Sequence, residues 1–498
     1  MTETDSQPKH SLVQTIFANT IFVTVGNLAL RALNFLFMIL VVRKLGDARY
    51  GQYSVVLAFV GLFQIFAELG ISQYVMRESA RDKTNALRYF WNLVVLRLIL
   101  AVVNVGFITL VGSQMGYSDE IVQGIFIYTL IFLLSALDGP LNDLFQAYER
   151  MGLMSLLTIV GQVAFMILGA IFLFSGLSYI WLVAAGLFSM FPRIGLGLWL
   201  AIRFHMLPPK FSINPRLWWH MILAGLPFGV ISLTMTIDAS IDTLMLKHFE
   251  TDQIVGWYNV AHHFIFSLLS ITRGFRSAIV PSLARTYKGD PTTVREWFYR
   301  SAKFSWLFSI PVAVGGFLVA NRLMVFLYKE AFAPSGLALQ ILIWDYPLRM
   351  YSSLCSQMAT VIQVEKKAAG INVINAVANV ILNFIFIPKF GLVGAALVSV
   401  ITDLISALQF HFLMRGRLAP RSTLPDLLRI LAASAVMGTG VWLAGSLHVL
   451  LAIGVGVVVL IPAVLLFRVL DADEWQWIGR GLRFIRRGAR EHIQPGGG

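Results

Sequence analysis

The strongest constraint on this chain is the number of apolar stretches long enough to cross the ~30 Å hydrocarbon core of a bilayer. Fourteen candidate spans lie near 13–42, 52–76, 90–113, 121–146, 152–175, 179–203, 217–248, 255–282, 303–328, 335–363, 369–388, 391–414, 426–446 and 448–468. The chain has 57% hydrophobic and 13% charged residues, and a mean hydropathy of +0.74. A water-soluble fold cannot bury that much apolar surface. We therefore predict an all-α polytopic membrane protein with about 14 transmembrane helices.

The positive charge of the chain is concentrated in alternate connections between these spans. Examples are Arg77, Arg81, Lys83 and Arg88; Arg203, Lys210 and Arg216; Arg285, Lys288 and Arg295; and Arg415, Arg417 and Arg421. Because cytoplasmic loops carry the excess of Lys and Arg, this pattern predicts that both termini are cytoplasmic. The net charge of +13 is thus explained by topology, and we expect no nucleic-acid partner.

A weak internal repeat divides the chain into two halves. Span one leads into Gly51-Gln52-Tyr53, and span seven leads into Gly256-Trp257-Tyr258. The repeat predicts two six-helix bundles in the same orientation around a central cavity, with two additional helices after them. The expected segments are a cytoplasmic tail (1–11), the first bundle (12–207), a linker (208–216), the second bundle (217–414), the additional helices (426–468) and a cytoplasmic amphipathic tail (469–498).

Polar residues inside the spans mark candidate binding positions, since an ionised group at the bilayer centre costs at least ~2.5–3.5 kcal/mol. Span one carries one polar face, and span eight adds two arginines. The residues are Thr20, Thr24, Asn27, Arg31 and Asn34 in span one, and Arg273 and Arg276 in span eight. A planar guanidinium stays charged and binds phosphate through two hydrogen bonds. These positions are therefore predicted to line a cavity for an anionic, phosphate-bearing cargo.

Carboxylates in the second half allow more than one interpretation. Asp238 and Asp242 lie one turn apart in span seven, and either bind a proton or share a cation, or form a salt bridge with an arginine. Asp345 and Arg349 in span ten are spaced to pair within their helix, although Arg349 also belongs to a polar line suited to the cavity. Span eleven has an asparagine ladder that favours helix packing: Asn372, Asn375, Asn379 and Asn383. Most other charged residues in the spans, including Glu68, Arg97, Asp138 and Asp403, should be paired or close to an interface.

Nothing in the sequence indicates an enzyme or a metal centre. The single cysteine, Cys355, lies in an apolar run, and no Cys/His cluster is present. The connections are short and contain no convincing acid–base pair. We expect no cofactor apart from a coupling cation, either H⁺ or Na⁺.

Three stretches of the chain resemble a known family. They are Leu45-Gly46 through Tyr50-Gly51-Gln52-Tyr53 with Leu69-Gly70-Ile71; Asp242 with Gly256-Trp257-Tyr258-Asn259 and Pro281-Ser282-Leu283; and Asn379 to Pro388 followed by Lys389-Phe390-Gly391-Leu392-Val393-Gly394. Over about residues 12–414 the chain resembles the polysaccharide-exporter branch of the multidrug/oligosaccharidyl-lipid/polysaccharide (MOP) flippase superfamily. The resemblance rests on spacing, without an invariant catalytic motif.

The resemblance implies a flippase that works by alternating access. Its cargo would be a polyprenyl-diphosphate-linked oligosaccharide of the O-antigen type, moved from the cytoplasmic to the periplasmic leaflet of a bacterial inner membrane during cell-surface polysaccharide biosynthesis. In the related peptidoglycan-precursor flippases, arginines on the first and eighth helices bind the diphosphate, and Arg31 and Arg273 occupy comparable helices in this chain. Expected partners are the lipid-linked cargo, membrane lipids and the polysaccharide polymerase machinery.

Three alternative functions fit the sequence less well than a flippase does. A multidrug-type cation exporter would have a cavity dominated by carboxylates, whereas arginine predominates among the spanning charges here. A membrane-embedded glycosyl- or acyltransferase would need an extramembrane domain. A receptor or scaffold would leave the interior arginines unexplained.

Overall fold

The structure is a computed structural model. It describes Gly26, residues 29–207, 211–287, 291–418 and 423–471, and Glu474 with Trp475, with the backbone alone at 80, 83–85, 231, 271–287 and 291. The described residues form helices and no strand. Asn27, Thr20, Thr24 and most of the predicted amphipathic tail lie outside the described residues.

The helices are numbered in chain order, and α1 is described over 29–45. The others are α2 (Asp47–Glu68), α3 (Ile71–Arg81), α4 (Lys83–Gln114), α5 (Asp119–Thr129), α6 (Ile131–Ala147), α7 (Met151–Phe174), α8 (Tyr179–Phe188), α9 (Met190–Arg203), α10 (Pro215–Phe249), α11 (Asp252–Tyr287), α12 (Pro291–Tyr328), α13 (Ser335–Leu342), α14 (Asp345–Val361), α15 (Glu365–Leu418), α16 (Leu424–Leu443) and α17 (Val449–Leu466). Short 3₁₀ turns follow at Glu330–Phe332 and Ala444–Ser446.

The all-α membrane fold is confirmed. Among the described residues, nine helical stretches are long and apolar enough to cross a bilayer, and α10, bent by 48°, makes a tenth. Gly391, with φ of 51°, breaks α15 at the boundary expected between spans eleven and twelve. The count of fourteen stays a prediction.

Four predicted spans each consist of two helices with a short interruption between them, and two of these, Asp119–Ala147 and Tyr179–Arg203, still form single spanning stretches. The breaks separate α2 from α3, α5 from α6, α8 from α9, and α13 from α14. Local turns cause them: at the α5–α6 junction the Leu133 amide bonds the Leu130 carbonyl three residues back. Hydropathy does not register a one-residue turn inside an apolar run.

The break between α2 and α3 has the clearest physical cause. Leu69 and Gly70 both take a left-handed conformation, with φ of 50° and 71°. Arg97 of α4 holds both sides of the break, since it pairs with Glu68 at 2.9 Å and donates to the Ser72 hydroxyl at 2.6 Å. Gly70 also packs on α10, where a Cβ would lie 2.5 Å from the Gly225 carbonyl oxygen. Only glycine fits this position.

The helices pack as two groups with an appended pair. In the first group α4 packs on α6, and α7 packs on α8 and α9. In the second group α15 packs on α10 and α14, while α12 packs on α13 and α14. Helices α16 and α17 pack on each other and on α12. They therefore extend the second group, as expected for additional helices.

The two groups touch where the repeated glycine motifs meet. A Cβ at Gly51 would lie 1.8 Å from the Asp252 carbonyl oxygen, and one at Gly256 would lie 2.2 Å from that of Asp47. Gln52 Nε2 donates to the Asp252 carboxylate at 3.0 Å. The repeat thus brings equivalent turns of α2 and α11 into direct backbone contact, and this end of the molecule is closed between the groups.

A buried lysine fixes the start of the C-terminal tail. The Lys303 side chain is fully buried in α12 and its Nζ lies 2.7 Å from Glu474 Oε2. Asp426 and Asp471 lie 3.8 and 3.9 Å from the same nitrogen. Three carboxylates around one ammonium join α12, α16 and the tail.

We expect Gly51→Ala to destabilise the closed arrangement by about 1–3 kcal/mol, because the added methyl group overpacks the α2–α11 contact. The measurement is thermal unfolding of the purified protein in detergent. Gly106→Ala in α4 is the matched control, since a Cβ there meets nothing within 4 Å. Equal melting temperatures for the two variants would contradict the contact.

Candidate functional site

A group of charged side chains lies where α10, α14 and α15 pack together. Its members are Asp238 and Asp242 of α10, Asp345 and Arg349 of α14, and Asp403 of α15, which we call the carboxylate cluster. On α10 and α14 the two members are four residues apart, so they share one face of their helix. That face is directed at the neighbouring helices of the second group.

Arg349 joins three helices through two carboxylates. Its Nε lies 2.6 Å from Asp403 Oδ2, and its Nη1 lies 2.9 Å from Asp238 Oδ2. The guanidinium also lies 5.5 Å from the centre of the Phe266 ring of α11. The intrahelical pair with Asp345 expected from the sequence is replaced by pairs to other helices. Among the interpretations of Asp238, the structure has the salt bridge.

Asp242 is surrounded by hydrogen-bond donors. One carboxylate oxygen accepts from the Tyr258 hydroxyl at 2.7 Å and the Ser399 hydroxyl at 2.9 Å, and the other accepts from Asn383 Nδ2 at 2.6 Å. Asn383 Nδ2 lies 3.0 Å from Asn379 Oδ1 as well. Two residues of the asparagine ladder, for which helix packing was favoured, thus belong to the surroundings of a buried carboxylate.

The charges of the cluster do not balance within it. It holds four carboxylates and one guanidinium, and Asp345 and Asp242 are only 1% and 4% exposed. In the described part of the chain, Asp345 Oδ1 and Asn383 Oδ1 are buried without a hydrogen-bond partner. A buried unpaired carboxylate is strongly unfavourable, so an excess of negative charge at this place favours uptake of a proton or a cation.

The atoms around Asp242 suit a hard cation. Carboxylate, amide and hydroxyl oxygens are the ligands that such ions prefer. Asp242, Asn379, Asn383 and Ser399 supply all three types. The described residues contain no group of three or more His, Cys, Asp or Glu arranged for a metal, so a transition-metal centre has no candidate ligand set among them. Asp238, whose side chain is 43% exposed, lies at the open rim of the cluster.

The candidate cargo residues of the first half are only partly described. Arg31 is half-buried in α1, and the Asn34 side-chain oxygen accepts from Gln162 Nε2 of α7 at 2.7 Å. Asn27 lies outside the described residues. Arg273 and Arg276 lie on α11, whose backbone alone is described at these positions. Their roles as cargo ligands stay predictions.

The relative position and direction of helices α1 and α11 are nevertheless described. The rings of Phe35 and Phe264 lie 6.1 Å apart. Arg43 near the end of α1 donates to the Leu327 carbonyl, and Trp257 near the start of α11 donates to the Ala331 carbonyl four residues further on. The end of α1 therefore lies beside the start of α11, and the two helices run in opposite directions. At ~1.5 Å per residue along a helix axis, Arg31 lies ~6 Å from Phe35 and Arg273 lies ~14 Å from Phe264. Both are displaced toward the same end of the molecule, so the two arginine positions lie on the same side of the inter-helix contact.

The residues that sequence reasoning missed are the partners of Asp242. In the sequence Tyr258 stands out only as part of the repeat and of the family resemblance, and Ser399 does not stand out at all. A usable signal was present: α10 and the two halves of α15 each place a polar side chain in a mainly apolar helix. The sequence does not show that these polar side chains lie at the same level of the bundle, because that depends on how the helices pack.

Comparison with known proteins identifies the family. The model of a family described as polysaccharide biosynthesis protein matches residues 16–287, more than half of the chain. The chain belongs to this family. The membership confirms the resemblance to the polysaccharide-exporter branch of the MOP flippase superfamily. A second model, described as MatE, matches residues 227–385 of the second half.

Two curated relatives come from Haloferax volcanii. The probable flippase AglR is 25% identical over 215 residues, and the match covers 42% of this chain and 43% of AglR. The chain therefore spans less than half of that relative. The probable low-salt glycan biosynthesis flippase Agl15 is 23% identical over 399 residues, which cover 78% of this chain and 81% of Agl15.

A solved structure supports the fold over most of the chain. The lipid II flippase MurJ in its inward closed conformation superposes with a TM-score of 0.76, covering 90% of this chain and 99% of MurJ. Sequence identity is 16%, so the likeness concerns the fold. It confirms the two-bundle membrane architecture.

Arg349→Ala should destabilise the second bundle by roughly 3–5 kcal/mol, because it leaves Asp238 and Asp403 without their partner. The measurement is thermal unfolding in detergent, with the exposed Arg417→Ala as the control. Adding Asp403→Asn to Arg349→Ala should restore part of the lost stability, since it removes one unpaired charge. A single variant as stable as the control would contradict the pairing.

Proposed function

We propose that this protein is a flippase for a polyprenyl-diphosphate-linked oligosaccharide. It moves its cargo from the cytoplasmic to the periplasmic leaflet of the inner membrane, with both termini in the cytoplasm. Membership of the polysaccharide biosynthesis family and the flippase relatives support this function. The observation that carries it is the placement of α1 and α11, which puts the positions of Arg31 and Arg273 on one side of the Phe35–Phe264 contact.

In this proposal each part of the cargo meets a different part of the protein. The guanidinium groups of Arg31 and Arg273, with Arg276 nearby, bind the diphosphate, because arginine remains charged when water is removed. The polar face of α1, with Asn27 and Asn34, binds sugar hydroxyls. The polyprenyl chain stays in lipid, alongside α16 and α17. Arg349 was also a candidate for the diphosphate, but its two ion pairs favour a role inside the second bundle.

Transport by this protein requires the closed end to open. The Gly51–Gly256 contact and the Gln52–Asp252 hydrogen bond close one end between the bundles. Arg43 of α1 adds a second link, since its guanidinium donates to the carbonyl oxygens of Phe326 and Leu327 at the end of α12. α10 packs on α2 and α3 as well, so the bundles also meet away from this end. The contacts that close this end can break and re-form, which suits rocking of one bundle against the other. Alternating access of this kind leaves the reaction without a chemical step, so no enzymatic activity is proposed.

The carboxylate cluster is the proposed site of ion coupling. Uptake of H⁺ or Na⁺ at Asp242 would offset its negative charge and compete with the hydrogen bonds that Asn383 and Ser399 donate to it. Since these residues lie on α10 and α15, ion binding changes how the helices of the second bundle pack. Asp238 at the rim provides the entrance from the open side.

A cation exporter of the multidrug type is the second candidate function. The MatE match over residues 227–385 and the four carboxylates favour it. Against it, Asp238 and Asp403 are paired with Arg349, and Asp242 already accepts three hydrogen bonds. These carboxylates are therefore engaged within the bundle, which leaves fewer of them to bind an organic cation.

Replacing the cavity arginines tests the cargo proposal. Arg31→Ala and Arg273→Ala should each slow flipping of a fluorescent polyprenyl-diphosphate saccharide in proteoliposomes by about 30-fold or more, the effect of losing ~2 kcal/mol of charged contact. Arg417→Ala is the matched control and should flip at the rate of the intact protein. Flipping unaffected by both cavity substitutions would contradict the assignment of these arginines.

Replacing Asp242 tests ion coupling. Asp242→Asn keeps the shape of the side chain but removes its charge, so transport should lose its dependence on an imposed H⁺ or Na⁺ gradient. Flipping rates are compared with each gradient present and absent. Gradient dependence equal to that of the intact protein would rule out Asp242 as the coupling residue.

A further inference from the structure

The first bundle contains a partly open cavity whose lining residues are not assigned to the proposed cargo site. Its volume is about 290 Å³, and it lies among α2, the α5–α6 junction, α7, α8 and α9. Polar side chains make up a large part of its lining: Tyr53, Tyr128, Thr158, Gln162, Ser189 and Arg193. Thr158 and Ser189 donate to backbone carbonyls of their own helices, and Gln162 donates to Asn34. The oxygens of these three side chains can still accept hydrogen bonds from a ligand in the cavity.

Small residues create the cavity and hold its shape. Gly161 leaves room for Arg193, since a Cβ there would lie 3.0 Å from the arginine Cδ. Gly186 faces Tyr128, and a Cβ would meet the tyrosine ring only at 3.8 Å. The space next to Gly186 could therefore hold a side chain without disturbing the backbone, yet it is empty of protein.

The lining offers an ionic ligand no uncompensated charge. Arg193 is the charged residue of the lining, and its Nε lies 2.8 Å from Asp138 Oδ1. Asp138 is buried, and the two charges compensate each other. The other polar lining groups are hydroxyls and one amide, which both donate and accept hydrogen bonds. Such a lining suits a neutral ligand with several hydroxyl groups.

The cavity is also joined to the predicted cargo face of α1. Gln162, which lines the cavity, donates to the side chain of Asn34 at 2.7 Å. The rings of Tyr53, Tyr128 and Phe165 supply flat apolar surface beside the polar groups. A volume of about 290 Å³ lies at the lower end of ligand pockets, which run from ~300 to ~1,000 Å³, so it suits one ring and excludes a whole oligosaccharide.

We propose that this cavity is a binding subsite for a single neutral sugar ring of the lipid-linked cargo. The inference rests on the proposed flippase function and adds a site for sugar selection that is separate from the diphosphate contacts. Selection by shape and hydroxyl hydrogen bonds would act here, while the arginines bind the diphosphate common to all such cargoes.

A side chain that fills the cavity separates the contribution of the sugar ring to cargo affinity from that of the diphosphate. The full-length protein in detergent is titrated with bare polyprenyl diphosphate, and with polyprenyl diphosphates that carry glucose, galactose, N-acetylglucosamine or N-acetylgalactosamine. The intact protein should bind at least one of the sugar-bearing lipids more tightly than the bare lipid. Gly186→Leu should weaken that binding by about tenfold or more, as the sugar ring loses its pocket, and leave the bare lipid unaffected.

Two further variants control for folding and position. Gly195→Leu, in α9 of the same bundle, adds the same side chain where a Cβ meets nothing within 4 Å, and should bind like the intact protein. Gln162→Leu should repeat the effect of Gly186→Leu at unchanged melting temperature. Equal sugar affinity in Gly186→Leu and Gly195→Leu would overturn the subsite, as would an intact protein that prefers no sugar-bearing lipid over the bare one. Failure to bind even the bare lipid would instead contradict the flippase function.

Discussion

Charges inside an apolar bundle must find partners there, because the surrounding hydrocarbon offers neither water nor counter-ions. This constraint organises both halves of the molecule. In the first half Arg97 pairs with Glu68 and holds the break between α2 and α3, while Asp138 pairs with Arg193 beside the cavity of the first bundle. In the second half Arg349 joins three helices through Asp238 and Asp403. The ion pairs position the helices, and the carboxylates without a cationic partner form the proposed site of ion coupling.

The two bundles therefore have different electrostatic characters. In the first bundle the Arg193–Asp138 pair leaves the cavity lining without net charge, while Arg97 pairs with Glu68 and contacts Asp143 through the Ser72 hydroxyl. The carboxylate cluster of the second bundle has an excess of negative charge. In the functional proposal the first bundle selects a sugar ring, the second takes up a cation, and arginines on α1 and α11 hold the diphosphate between them. Cargo recognition and ion coupling are then spatially separate and linked through the movement of the bundles.

Much of the fold follows from the sequence for simple reasons. Apolar runs and the alternation of basic loops predict the helices, and the Gly51 and Gly256 motifs predict a repeat whose copies meet in the structure. The broken spans could not be predicted, since a turn such as that at Leu130 leaves hydropathy unchanged. The ion-pair partners of Arg349 could not be predicted from the sequence either. The i, i+4 spacing favours Asp345, whereas Asp238 and Asp403 approach only because α10 and α15 pack on α14. The sequence predicts which residues share a helix face, but the packing of the helices determines which residues of two faces come into contact.

The most direct test of the central claim is to give the intact protein both candidate cargoes. Proteoliposomes are prepared with a fluorescent polyprenyl-diphosphate saccharide in the bilayer, or with a lipophilic cationic dye in the lumen, and the movement of each is followed across an imposed H⁺ or Na⁺ gradient. We expect the lipid-linked saccharide to exchange between leaflets faster than in protein-free vesicles, and the dye to leave at the rate of the protein-free vesicles. Export of the dye without movement of the saccharide would contradict the flippase function and favour the cation exporter.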